Sequence, residues 1–178
     1  MISLDQRLER WIVGHRAEPF DTIFVALTHI GSFGIVWFAL AVIATLRLRR
    51  PLIFPLVVAA YFLAAAITDV LKLVIDRHRP VDHPLVPALA THSFPSGHAA
   101  TSFACAATLA TFVSRRGQIV LYVLAAGIAY SRVYVGVHYP LDVAAGALLG
   151  VLVGLAVLRA LPRLAAVRRR SRPETPAG

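Results

Sequence analysis

LIFPLVVAAYFLAAAITDVLKLVIDRHRP, residues 52–80, decides the fold. No charged residue interrupts positions 52–68. Asp69, Lys72 and Asp76 then appear, followed by Arg77, Arg79 and the helix-breaking Pro80. An apolar run of about 20 residues matches the hydrocarbon core of a bilayer. Residues 52–76 therefore read as a membrane-crossing helix whose end carries a cluster of charge.

Outward from this block the chain repeats its character. Apolar stretches recur at about 32–48, 97–113, 117–137 and 140–158. The 178 residues are 58% hydrophobic and 15% charged, with mean hydropathy +0.71. Soluble domains run near half apolar and a quarter charged. The expected fold is an all-α integral membrane bundle of five spans, with N-terminal interfacial helices in front of it. A sixth crossing hidden in residues 3–31 is the alternative. Residues 3–16 carry a capping-box pair, Ser3 and Gln6. Leu4, Leu8, Trp11 and Ile12 share one face there, and the charges lie elsewhere. A second short helix is expected from Asp21 to Gly31, since Gly31 and Gly34 argue against one helix through 22–46. The domain reading is thus interfacial helices over 1–31, a membrane-embedded catalytic domain over 32–160, and a basic, disordered cytoplasmic tail over 161–178. The start lacks the pattern of a removable signal peptide, so insertion is expected to use the first true span.

The net charge of +9 would suggest nucleic acid in a soluble protein. Its placement argues otherwise: the charges border the apolar blocks, as topology signals do. No nucleic-acid partner is expected. Arg47, Arg49, Arg50, Arg115, Arg116, Arg159, Arg163, Arg168, Arg169, Arg170 and Arg172 fall at one set of ends. The positive-inside rule puts those ends in the cytoplasm of a cell membrane, and the opposite ends outside. The lone Cys105 lies in an apolar block and reads as a small core residue. Gly146, Gly150 and Gly154 form a small-xxx-small ridge, expected to serve helix packing, with a homo-oligomer as the alternative.

Three patterns carry chemistry. Lys72-x₆-Arg79-Pro80 closes the block at 52–76; at i, i+4, i+7 spacing Lys72, Asp76 and Arg79 would share one helical face. An ionisable residue within a span is functional by default, so Lys72 stands out and Asp69 reads as its counter-ion. Arg77 reads as a snorkelling surface residue. Pro95-Ser96-Gly97-His98 opens the next block: Ser96 suits an N-cap, Gly97 allows close backbone approach, and His98 stands in the first turn. Free N–H groups and the helix dipole there favour an anion. Ser131-Arg132-x₅-His138-x₃-Asp142 joins the last two blocks. Arg132 can grip phosphate bidentately. His138 and Asp142 straddle Pro140, at a spacing that lets the carboxylate fix the imidazole tautomer. Each pattern alone has a structural explanation, as a snorkelling pair, a capped helix or a satisfied His–Asp pair. Together they supply three cations, two histidines and a carboxylate, the inventory for holding a phosphate, attacking it and protonating its leaving group. His15, His29, His78, His83 and His92 fit none of these patterns. Zinc-site spacings are missing, and no metal or other cofactor is expected.

In these three motifs the chain resembles the type 2 phosphatidic acid phosphatase superfamily, over about residues 20–160. The resemblance implies His138 as nucleophile, Asp142 as its orienting partner and His98 as the acid for the leaving group. It implies Lys72, Arg79, Ser96, Gly97 and Arg132 as the phosphate cradle. The implied activity is metal-independent hydrolysis of a lipid phosphate or diphosphate, of undecaprenyl diphosphate or phosphatidylglycerol phosphate type, at the extracytoplasmic face. Phosphotransfer to another acceptor, and non-catalytic binding or flipping of lipid phosphates, are the rival readings. Intact His98, His138 and Asp142 argue against the last, since binding needs only cations.

Overall fold

The computed structural model describes residues 3–80, 84–87 and 92–170, with side chains described as far as residue 160. All regular structure among them is helical: α1 Leu4–Gly14, α2 Glu18–Ile30, α3 Ile35–Leu48, α4 Ile53–Ile75, α5 Gly97–Ala110, α6 Arg115–Tyr134 and α7 Pro140–Arg170. A single 3₁₀ turn, Ser32–Gly34, joins α2 to α3. His83 and the tail from residue 171 lie outside the described residues. The helical backbone of α7 continues through Arg170, past the expected boundary at 158.

The local signals explain most helix starts. Ser3 Oγ accepts from Gln6 N, and Gln6 Oε1 accepts from Ser3 N, so the capping box is formed. Pro140 occupies the first position of α7, where a missing N–H costs nothing. The break between α2 and α3 falls where the glycines stand. Phe33 and Gly34 take left-handed φ of 57° and 70°, and a Cβ on Gly34 would lie 2.6 Å from the Tyr61 ring. The two helices are bent by 59°. By length and hydropathy α4 and α7 each suffice to cross a membrane, and α2 with α3 add a third crossing only if the bent pair is one span rather than a re-entrant loop, so two or three of the five expected spans meet this test among the described residues. At about 1.5 Å per residue the 14 residues of α5 rise only ~21 Å.

That short helix is the centre of the bundle. Eleven of its 14 residues are buried, and it packs against α7, α4 and α6. Its composition permits this, because alanine, serine and threonine let neighbouring backbones close in. The glycine ridge of α7 faces it directly. A Cβ on Gly146, Gly150 or Gly154 would stand 2.5, 2.2 or 2.7 Å from the carbonyl oxygens of Ser96, Ala100 and Ala104. The ridge is thus an internal packing surface. Cys105 is buried in the core beside Trp37, Val57 and Leu109. On α4 the buried stripe runs Ile53, Val57, Ala60, Ala64, Thr68, and one further turn brings Lys72 to the same inward face. Leu73 and Val74, 79% and 76% exposed, point away toward lipid.

Candidate active site

The three motifs meet where α4 ends, α5 begins and the α6–α7 turn passes between them. Lys72 Nζ lies 3.7 Å from the position of a Cβ on Gly97, so the first motif touches the second. Ser96 N donates to Asp142 O at 2.9 Å, so the second touches the third. Arg79 Nη1 donates to Val137 O at 2.9 Å and approaches His138 Nε2 at 3.0 Å, which joins the first to the third. Residues as far apart in sequence as Lys72 and Asp142 thereby form one cluster at one end of the bundle.

His138 sits in the turn after α6. Both Val137 N and His138 N bond to Arg132 O, Gly136 takes a left-handed φ of 75°, and the strap at Leu85 bonds Val135 O. The ring is buried, and its two nitrogens have different surroundings. Nδ1 faces Asp142 Oδ2 at 3.5 Å, at the outer limit of a hydrogen bond. Nε2 faces the Arg79 guanidinium, which can only donate. Burial pushes the imidazole down to about 4; Asp142 opposes this, and Arg79 and Arg132 add to the depression. The ring is therefore neutral near pH 7, with its proton on Nδ1 toward Asp142 and its lone pair on Nε2. A neutral imidazole with a lone pair aimed at a cation cluster can attack an anion that the cations hold.

Asp142 is wholly buried and stands in the first turn of α7, where the helix dipole favours a carboxylate. Its Oδ2 accepts from Tyr139 N at 3.0 Å. Arg132 is 7% exposed, and its Nη1 donates to Thr28 Oγ1 at 2.6 Å. Its Nε and the Ser96 hydroxyl are buried without a hydrogen-bond partner among the described residues. Buried polar atoms left this way cost free energy unless something else meets them, and a phosphate oxygen would. His98 Nε2 lies 3.3 Å from Ser32 Oγ, and Arg132, His138, Lys72 and Arg79 all stand within Coulombic range of it. A cavity of about 130 Å³ lined by His98, Gly97, Thr68, Tyr61 and Phe33 opens beside it. Among the described residues no three His, Cys, Asp or Glu side chains are grouped to hold a metal ion.

Several expectations need correction. Lys72, Asp76 and Arg79 do not share a helical face. The helix stops at Ile75, and Asp76 turns left-handed at φ 46°, which carries Arg79 over the α6–α7 turn. Lys72 pairs with Asp69 at 3.4 Å, while Asp76 pairs with His92 at 2.7 Å. Ser96 occupies the N-cap position without a side-chain cap bond. Arg77 is not a snorkelling residue: its Nη1 donates to Asp142 Oδ1 at 2.5 Å and its Nη2 to Asp5 Oδ2 at 2.6 Å. Thr28, Ser32 and Asp5 were missed altogether. A signal for Arg77 was available, because two arginines at i, i+2 on a helix diverge by about 200° and cannot serve one site unless the helix has ended.

The chain is similar to known proteins in sequence and in fold. The PAP2 superfamily model matches residues 53–165. The chain is 38% identical to decaprenylphosphoryl-5-phosphoribose phosphatase of Mycobacterium tuberculosis, over 74% of its own length and 75% of the relative's. It is 35% identical to the undecaprenyl-diphosphatase of Sulfolobus acidocaldarius, over 84% and 74% of the two chains. Among solved structures, Aquifex aeolicus LpxE superposes with a TM-score of 0.79 at 31% identity, covering 89% of this chain and 96% of that one. The phosphatidylglycerolphosphate phosphatase of Bacillus subtilis superposes with a TM-score of 0.77 at 25% identity, over 96% and 87%. With its three motifs gathered at one end of a helical membrane bundle, the chain belongs to the PAP2 superfamily of phosphatases.

Proposed function

We propose that this protein hydrolyses the phosphate monoester or diphosphate of a membrane lipid through a phosphohistidine at His138. The observation that carries the reading is the pair of contacts on that ring: Asp142 at Nδ1 and a phosphate-binding cation at Nε2. Arg79, Arg132 and Lys72, with the N–H groups at the start of α5, bind the phosphoryl oxygens. Arg79 leaves Nε2 for those oxygens as the substrate enters. His138 Nε2 then forms a bond to phosphorus while the bond from phosphorus to the leaving oxygen breaks. With the phosphate's negative charge offsetting the surrounding cations, His98 holds a proton and gives it to that oxygen. A water molecule next attacks phosphorus, His98 takes its proton, and the bond from phosphorus to Nε2 breaks to release phosphate. The fixed cations stabilise the charge of the transition state.

The substrate is a lipid headgroup lying at the membrane surface, of undecaprenyl diphosphate or phosphatidylglycerol phosphate type. The enzymes named above that act on decaprenyl, undecaprenyl and phosphatidylglycerol phosphates support this class. With the arginine-rich ends of the helices inside, the site lies on the extracytoplasmic face. The test is phosphate release from a panel of lipid phosphates and diphosphates by purified protein in detergent with EDTA. Release that survives EDTA and is blocked by vanadate is expected. Release only after a divalent ion is restored contradicts the mechanism.

A further inference from the structure

Arg77 occupies one of the unspecified positions of the first motif, yet it is the residue that grips the carboxylate behind His138. We propose that Arg77 is a positioning residue for Asp142, tethered by Asp5 of the amphipathic helix α1, so that the seating of α1 governs the orientation of the dyad. The inference rests on the roles given above to His138 and Asp142.

Asp142 divides its two oxygens. Oδ2 takes the Tyr139 N–H and faces His138, while Oδ1 takes Arg77 Nη1. A wholly buried carboxylate deprived of its cation rotates, recruits another partner or takes up a proton. Any of these loosens the hold on Nδ1 of His138. Arg77 itself is fixed on three sides. Asp142 and Asp5 each take one terminal nitrogen, and the Tyr139 ring lies 4.3 Å from its Cζ. Both ends of its fork therefore point into protein, unlike Arg132, whose Nε lacks a partner. Asp5 ties the arrangement to α7 as well, since its Oδ1 accepts from Leu141 N at 2.9 Å. The capping box at Ser3 sets Asp5 in the first turn of α1. Leu4, Leu8 and Trp11, on the adjoining face, are 68%, 45% and 61% exposed. An apolar face of this kind beds a helix in the membrane interface. The helix that rests on the lipid thus carries the carboxylate that holds Arg77.

A double-mutant cycle tests this, read as kcat and KM on one lipid phosphate. Arg77→Gln should lower kcat by about 10- to 100-fold, the range that outer-shell partners of metal-ligating histidines show, and shift KM less than about threefold. Arg77→Lys should recover part of the loss. In an Asp142→Asn background Arg77→Gln should add almost nothing, because its effect runs through Asp142. Asp5→Asn should follow the same non-additive pattern with a smaller loss, about three- to tenfold. Additive losses, or losses confined to KM, overturn the proposal. If Arg77→Gln fails to fold, Asp5→Asn carries the cycle alone. His138→Ala is assayed in parallel. An inactive His138→Ala with an additive cycle sinks the role of Arg77 only; an active one sinks the nucleophile assignment.

Discussion

The two ends of the bundle are both built with arginine, and they treat it differently. At one end Arg47, Arg49, Arg50, Arg115 and Arg116 are exposed, clustered around the α3–α4 and α5–α6 connections. At the other end Arg132 is 7% exposed, Arg77 is bonded to carboxylates of α1 and α7, and Arg79 to groups of the α6–α7 turn. Exposed guanidinium groups at span ends are cheap to hold and set orientation. A guanidinium that is desolvated and aimed at a histidine is expensive to hold and needs an anion to repay it. On the proposed function the same residue type marks topology at one end and chemistry at the other.

Exchanging single arginines sharpens this contrast most strongly. Arg79→Ala or Arg132→Ala should lower kcat/KM by about 10³-fold, the cost of removing one donor from a transition-state anion site. Arg132→Lys should recover only part, since an ammonium lacks the fork. Arg49→Ala or Arg115→Ala should stay within about twofold, as surface substitutions do. Equal losses at both ends, in steady-state assays on the same lipid phosphate, would break the distinction.

A narrower contrast separates the two histidines at the site end. His98→Ala should lower turnover of lipid phosphates by about 10³-fold, but that of aryl phosphates with good leaving groups by less than about tenfold. Good leaving groups depart without a proton. Equal losses on both substrate types would make His98 a binding residue.

The smallest effect concerns what joins the two ends. Gly150 lies mid-way along the α5–α7 seam, and a methyl there would press on Ala100 O at 2.2 Å. Gly150→Ala should destabilise the fold by about 1–3 kcal/mol and shift α5. Thermal unfolding in detergent checks this, with a midpoint unchanged from wild type as the contrary result.

Much of this was legible in the sequence for a physical reason. Membrane spans announce themselves through uninterrupted apolar length, as at 52–68. Phosphate chemistry demands particular side chains at fixed spacing, as at Ser96-Gly97-His98 and His138-x₃-Asp142. The Ser3–Gln6 cap depends on contacts within one turn, and the glycine ridge shows as a spacing of small residues along one helix, although its partner is α5. What sequence missed depends on pairs far apart along the chain. Arg77 meets Asp142 and Asp5 at separations of 65 and 72 residues, and Arg132 meets Thr28 at 104. The span was expected to end at 76, close to the observed Ile75, but Arg79 was still placed on its helical face. Asp76 instead adopts a left-handed turn that carries Arg79 off that face, and its carboxylate pairs with His92.

The central claim is that His138 Nε2 bonds to phosphorus. The most direct measurement is a rapid acid-free quench of wild-type protein turning over a ³²P-labelled lipid phosphate, followed by peptide mapping. The account predicts an acid-labile, base-stable phosphate on the peptide that contains His138, absent in His138→Ala, which turns over at most about 10⁻⁴ as fast. Label on another residue, or near-normal turnover by His138→Ala, would contradict it.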